Sequence, residues 1–320
     1  MSWIRKLGLL PHEWFFSLFL LITWVRLIVA AGPLDSGAIL YLALMLINGV
    51  LIFRCVTRET RGRWYARLWF YPVVINVVFM TMGPVAMKVV AHRRDALLQG
   101  IDTVVAGMTP SLRAQPFVTP WLTEILSFCY LLFFPYLFLS WALYSWRGVE
   151  SFRRLSVGLF TIYAFGFLGY STVPAAGPYV ALADQFTVPL SGFAITKLNA
   201  SIVAHGSNGV DVFPSLHCAV SCYLLFFDRR YARRRFFIYV APCVGLWLAT
   251  IYLRYHYLVD VLVGFGLAGF GLWLTAWWGK REGMQGMCGT SRAPMRKNSK
   301  GTNAGVDARG GCDRWSGRPG

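Results

Sequence analysis

Acidic residues are scarce in this sequence. Only 14 Asp and Glu stand against 31 Lys and Arg, and histidine occurs five times in 320 residues. Charge of both signs together makes up 14% of the chain, against roughly a quarter in soluble domains. By contrast 56% of the residues are hydrophobic and the mean hydropathy is +0.51. This balance excludes a water-soluble globular domain and assigns the chain to a bilayer. CxxC pairs are missing, and five of the seven cysteines lie in or beside apolar runs. They read as small buried packing residues rather than a disulfide framework or a metal site. No internal repeat and no second folded domain is evident.

What the sequence has in plenty is long apolar runs. Stretches near 20 residues, the length that spans a hydrocarbon core, occur at 14–31, 37–53, 68–87, 121–146, 155–173, 213–227, 236–253 and 257–278. None alternates as a barrel strand would, and lipid leaves no backbone group unpaired, so all read as helices. The expected fold is an all-α, polytopic membrane helix bundle of about eight transmembrane helices. Residues 280–320, rich in Gly, Ser, Lys and Arg, read as a disordered basic tail.

The basic residues sort by loop. Of the 31, 24 fall at the N-terminus, in the second, fourth and sixth loops, and in the tail. Lys and Arg accumulate on the cytoplasmic side, so both termini are expected there, in a cell membrane, with the odd-numbered loops facing outward. The third loop, with Lys88, Arg93, Arg94 and Arg113, runs against the rule, though Asp95 and Asp102 accompany it. Topology and anionic lipid thus account for the net charge of +17 without nucleic acid. Arg5 and Lys6 ahead of an apolar run resemble a secretory signal, but Arg26 within that run and its length favour a retained helix.

Two outward segments carry ionisable groups at membrane depth. In "SNGVDVFPSLHCAVS" (207–221), Pro214 and Ser215 have the form of a helix start, which puts His217 in the first turn. In "TIYLRYHYLVDVLVGFG" (250–266), Asp260 follows His256 by four residues, one helical turn, where its carboxylate can accept the ring N–H and orient the imidazole. A lone interfacial histidine is ordinarily a hydrated helix end. Two histidines and an i, i+4 aspartate at one depth point to function, because intramembrane ionisable residues are rarely kept without a role. His92 and His205 match no ligand spacing and read as loop histidines.

"FPSLH" and "YLRYHYLVD" resemble the second and third signatures of the type 2 phosphatidic acid phosphatase superfamily. The nearest likeness is to its inositol phosphorylceramide synthase (aureobasidin-resistance) branch. "GYSTVPAAGPYV" occupies the place of the first signature, and "RRDALLQGIDTVVAGMTPSL" resembles the amphipathic segment ahead of the core in bacterial members. The resemblance covers residues 68–278. It implies a six-helix catalytic membrane domain over 68–279, preceded by two further transmembrane helices in 1–67. It implies a lipid phosphate substrate, with His256 as nucleophile through a phosphohistidine, Asp260 holding its tautomer and His217 protonating the leaving oxygen. No metal and no cofactor is implied.

The general first signature, K-x6-R-P, is missing, and Thr250 stands where an Arg is usual six residues before the nucleophile. Ser215, at the helix start, together with Arg254 and Lys197 are the candidates to hold the phosphate, and "HGSNG" (205–209) offers backbone donors. The favoured expectation is a lipid headgroup phosphotransferase facing the outer side. A phosphatase on phosphatidate or a polyprenyl diphosphate is the alternative. A transporter or channel is the reading from a different class, disfavoured because the ionisable residues gather at one face instead of lining a path.

Overall fold

The computed structural model describes residues 8–289, with side chains as far as Glu282. One compact unit ends at Lys280 and a separate one comprises Arg281–Gly320. The basic tail expected from 280 lies, from residue 290 on, outside the described residues.

Among the described residues every regular element is a helix. The longer ones are α1 (Pro11–Ala31), α2 (Ser36–Thr57), α3 (Arg61–Val89), α4 (Asp95–Ala106), α5 (Pro120–Leu131), α6 (Phe133–Trp146), α7 (Val149–Thr172), α8 (Ala194–Gly206), α9 (Leu216–Tyr231), α10 (Arg233–Tyr252) and α11 (Leu258–Gly289). Several starts are set locally. Asp35 accepts the amides of Gly37 and Ala38, Thr60 that of Arg63, and Thr119 that of Leu122, while Pro11 and Pro120 stand in first turns.

Among the described residues seven segments are long and apolar enough to cross a membrane. The run expected at 121–146 is one of them, built from α5 and α6 with a break at Leu132. Pro135 accounts for the break: it has no amide to donate, and its ring would meet the carbonyl four residues back. The run expected at 213–227 is not among the seven. It is α9, only 16 residues and sheathed by its neighbours, so it need not present an apolar face to lipid.

Short as it is, α9 runs antiparallel to α7 from one end of the bundle to the other. Its first residue, Leu216, lies against Gly166, where an added Cβ would come within 2.4 Å of the Leu216 side chain. Farther along, the Tyr223 hydroxyl donates to the Leu155 carbonyl at 2.9 Å, and at the far end Arg147 Nη1 donates to the Tyr231 carbonyl at 3.0 Å. Around this pair, α7 packs on α1, α3 and α6, and α9 packs on α10 and α6.

The two ends of the bundle differ in kind. At one end lie the long connections 90–119 and 173–215, joined by Arg94 N to Pro174 O at 2.7 Å, and there Arg26 Nη2 of α1 donates to the Ser171 carbonyl of α7 at 2.8 Å. At the other lie the arginine-rich loops, with Arg63 on the Arg54 carbonyl and Arg153 and Arg154 on Glu150.

Near that second end a charged pair is buried. Arg67 Nε and Nη2 meet the two carboxylate oxygens of Glu13 at 2.5 Å each, and Nη2 also donates to the Gly8 carbonyl at 2.7 Å. Neither side chain is more than 1% exposed. The pair fastens α1 to α3, and removing one partner leaves the other charged in a medium that cannot solvate it. Arg67→Leu is expected to lose about 3–5 kcal/mol of stability, read as a lowered Tm in detergent. Replacing both partners with apolar residues of similar size should recover most of that loss. A single variant as stable as the double would refute the assignment.

Candidate active site

The site is built where the start of α9 meets the start of α11. Ser215 caps α9, its Oγ accepting the Cys218 amide at 3.3 Å, and its own amide donates to the Asp260 carbonyl at 3.0 Å. The helices can come this close because position 264 has no side chain: a Cβ there would stand 2.6 Å from the Ser215 carbonyl oxygen. His217, in the first turn of α9, is thereby brought to His256, with ring centroids 6.1 Å apart.

His256 sits in the reversal between α10 and α11. Arg254 takes a left-handed conformation (φ 69°), and the amides of Tyr255 and His256 both donate to the Thr250 carbonyl at 3.0 Å. The imidazole is 3% exposed, and its Nδ1 lies 3.5 Å from Asp260 Oδ2. That oxygen also accepts the Tyr257 amide at 2.8 Å, while Oδ1 is buried without a partner. A carboxylate so placed favours a proton on Nδ1 of His256 and leaves the Nε2 lone pair for chemistry.

Two further acids and one glycine hold this turn in place, and a third acid lies in the loop before α9. Asp102, from the middle of α4, accepts the Leu258 and Val259 amides at 3.0 and 3.1 Å, satisfying the open first turn of α11. Burial raises the pKa of its carboxyl, and those two amides pull it back. Asp95 accepts the Ala176 and Gly177 amides and the Tyr257 hydroxyl, joining three segments. Gly177 (φ 91°) is required there, since a Cβ would come within 2.5 Å of the Tyr255 carbonyl. Asp211, in the loop before α9, accepts the Ser207 hydroxyl at 2.7 Å; burial raises its pKa, and that hydrogen bond opposes the rise.

Of the residues singled out in the sequence, His217, His256, Asp260 and Ser215 come together. The Ser215 amide, however, is committed to the Asp260 carbonyl, so it is not a free donor for a phosphate oxygen. Arg254 is turned to the strap at 186–188, where its guanidinium donates to the Val188 carbonyl and lies 4.0 Å from the Phe186 ring centroid. Burial lowers its pKa. Lys197 is exposed on α8, which docks through Asn199 Nδ2 to the Tyr255 hydroxyl at 3.0 Å and through Glu124, which accepts three amides from residues 193–196. No recorded contact joins Arg254 or Lys197 to either histidine.

Sequence reasoning passed over the residues that surround His217. Tyr130 stacks on its ring at 4.6 Å and Phe133 packs at 4.6 Å from the other helix of the broken span. Nothing in the sequence distinguishes these two among 24 Phe and 15 Tyr. Arg93 was also unremarked as a site residue, although its guanidinium lies 3.1 Å from where a Cβ on Gly209 would be. Asp211 lay in plain view, six residues before His217 in the quoted stretch.

The comparisons with known proteins bear on this geometry. The chain is 29% identical over 150 residues to the phosphoinositol dihydroceramide synthase of Bacteroides thetaiotaomicron, an alignment covering 41% of this chain and 48% of that protein. The chain therefore spans about half the length of the curated relative it matches. No solved structure matches it significantly. Residues 101–274, which contain His217, His256 and Asp260 together with Asp102 and Asp211, match the PAP2 superfamily. With more than half its length matched, this multi-pass helical chain belongs to the PAP2 superfamily.

Proposed function

We propose that the protein is a membrane-embedded lipid phosphotransferase that moves a headgroup phosphoryl unit through a phosphohistidine, in the manner of an inositolphosphotransferase. The observation that carries the reading is the His217–His256 pair, 6.1 Å apart, with Asp260 behind His256. In the first half-reaction Nε2 of His256 attacks phosphorus. The P–N bond forms as the P–O bond to the leaving group breaks, and His217 gives that oxygen a proton. Asp260 steadies the charge that develops on His256. In the second half-reaction His217 takes the proton of an acceptor hydroxyl, whose oxygen displaces His256 from phosphorus.

The transferase reading is preferred over a phosphatase because of the cations. The usual basic first signature is missing, Arg254 is engaged with the Val188 carbonyl, and Lys197 is exposed on α8. A phosphomonoester dianion next to a low-dielectric boundary needs more fixed positive charge than a diester monoanion. The name of the Bacteroides relative agrees with a diester donor. A phosphatase on phosphatidate or a polyprenyl diphosphate is the second reading, favoured if Arg93 beside Gly209 supplies the charge. In this account residues 68–279 form the catalytic domain and the two helices of 1–67 brace it. The arginine-rich end lies in the cytoplasm and the histidines face outward.

Three outcomes follow. His256→Ala should lower kcat by roughly 10³-fold or more while the protein stays folded; a variant retaining a tenth of the activity would remove His256 as nucleophile. Purified protein in EDTA should show higher kcat/KM on a phosphodiester lipid with an alcohol acceptor than on phosphatidate with water, and a tenfold preference for the monoester would leave a phosphatase. Single cysteines near Lys197 should be labelled by an impermeant reagent on intact cells, and those in 228–235 only after permeabilisation; the reverse pattern would turn the site inward.

A further inference from the structure

The residue that governs His217 is not in either signature. Tyr130, at the end of α5 just before the break in the span, is 5% exposed and lies nearly flat on the His217 ring, with 4.6 Å between centroids and 27° between planes. Its hydroxyl is 3.4 Å from His217 Nδ1, the one hydrogen-bonding partner recorded for it. Phe133 packs on the same imidazole at 4.6 Å and Phe134 at 6.3 Å, so the ring is hemmed in by aromatic surface. Tyr130 is itself backed by the Tyr255 ring at 4.9 Å, and the Tyr255 hydroxyl is held by Asn199.

We propose that Tyr130 is a positioning residue for His217: it occupies Nδ1 and the face of the ring, so that Nε2 alone is presented to the reacting oxygens. This rests on the reading of His217 as the proton donor and acceptor of the site. A hydroxyl both donates and accepts. It serves Nδ1 when that nitrogen is bare, and it accepts from Nδ1–H when His217 carries two protons. In the acid step Nε2 then releases its proton to the leaving oxygen, while Nδ1 keeps its own proton, hydrogen-bonded to the Tyr130 oxygen. In the base step Nε2 takes the proton of the acceptor hydroxyl. Without the hydroxyl, the charged form of the ring loses its charge-assisted hydrogen bond at Nδ1. The break at Leu132 suits this role, since it lets Tyr130 and Phe133, from two helices, close on one imidazole.

Tyr130→Phe keeps the stack and removes only the hydroxyl, so the variant should fold. The test uses the full-length protein in detergent and two phosphodiesters that differ in leaving group, an alkyl alcohol and p-nitrophenol. A poor leaving group needs the proton from His217, whereas p-nitrophenolate leaves without one. In single-turnover experiments that follow only leaving-group release, the half-reaction that precedes the acceptor step, Tyr130→Phe should slow release from the alkyl ester about tenfold and leave release of p-nitrophenolate within about twofold. In a His217→Ala background the same substitution should have no further effect, because residues acting through one another are not additive. Equal losses on both esters, no loss on the alkyl ester, or full additivity with His217→Ala would each overturn the proposal. If His217→Ala itself leaves the alkyl ester unaffected, the reading of His217 as the acid fails instead, and the two failures are distinct.

Discussion

The hydrogen bond from the Ser215 amide to the Asp260 carbonyl, made possible by the bare backbone at Gly264, is the contact on which the site depends. It joins the first turn of one helix to the first turn of another that begins more than forty residues later. Each first turn carries one of the groups that matter: His217 lies two residues beyond Ser215, and Asp260 faces back toward His256. If the two starts moved apart by the width of a methyl group, the imidazoles would lose their register, because neither is held by a direct bond to the other. The site is therefore a property of helix packing rather than of a loop.

Membrane depth explains why so much surrounding structure is polar yet paired. Open amides at the start of a helix cannot be left to lipid, and here carboxylates from other segments take them: Asp102 the first turn of α11, Glu124 that of α8, and Asp95 the segment around Gly177. At the opposite end, Asp228 receives the Tyr136 and Tyr144 hydroxyls and faces Arg235, while Glu13 receives Arg67. Among the described residues, Glu13, Asp35, Asp95, Asp102, Glu124 and Asp228 thus take open backbone amides or pair with arginines. Asp260 differs from these in keeping one oxygen unpartnered.

On the proposed reading, where Arg254 points bears on the choice of substrate. Arg254 would serve as a clamp on position alone, two residues before His256, but its left-handed backbone aims the side chain at Phe186 and Val188. There it straps the 173–190 connection over the α10–α11 turn. A site poor in positive charge suits an ester of low charge, and its aromatic wall around His217 suits a group arriving from lipid rather than from water.

The sequence by itself determined the solvent, the helical class, the separation of arginine-rich from site-bearing loops, and the choice of His217, His256 and Asp260 as candidates that the fold brings together. Those properties are local: hydropathy over about 20 residues, and an i, i+4 spacing that any helix turns into proximity. It also read α9 as an apolar run like the others, since a 16-residue helix sheathed by its neighbours and one that faces lipid look alike along the chain. What only the tertiary structure decided is long-range. Asp102 caps a helix 156 residues away, Tyr130 covers the His217 ring from across the bundle, and Arg254 turns from the histidines to a strap. Each of these follows from how helices pack in three dimensions, and a one-dimensional pattern carries no record of which of 15 tyrosines or 31 basic residues will face the site.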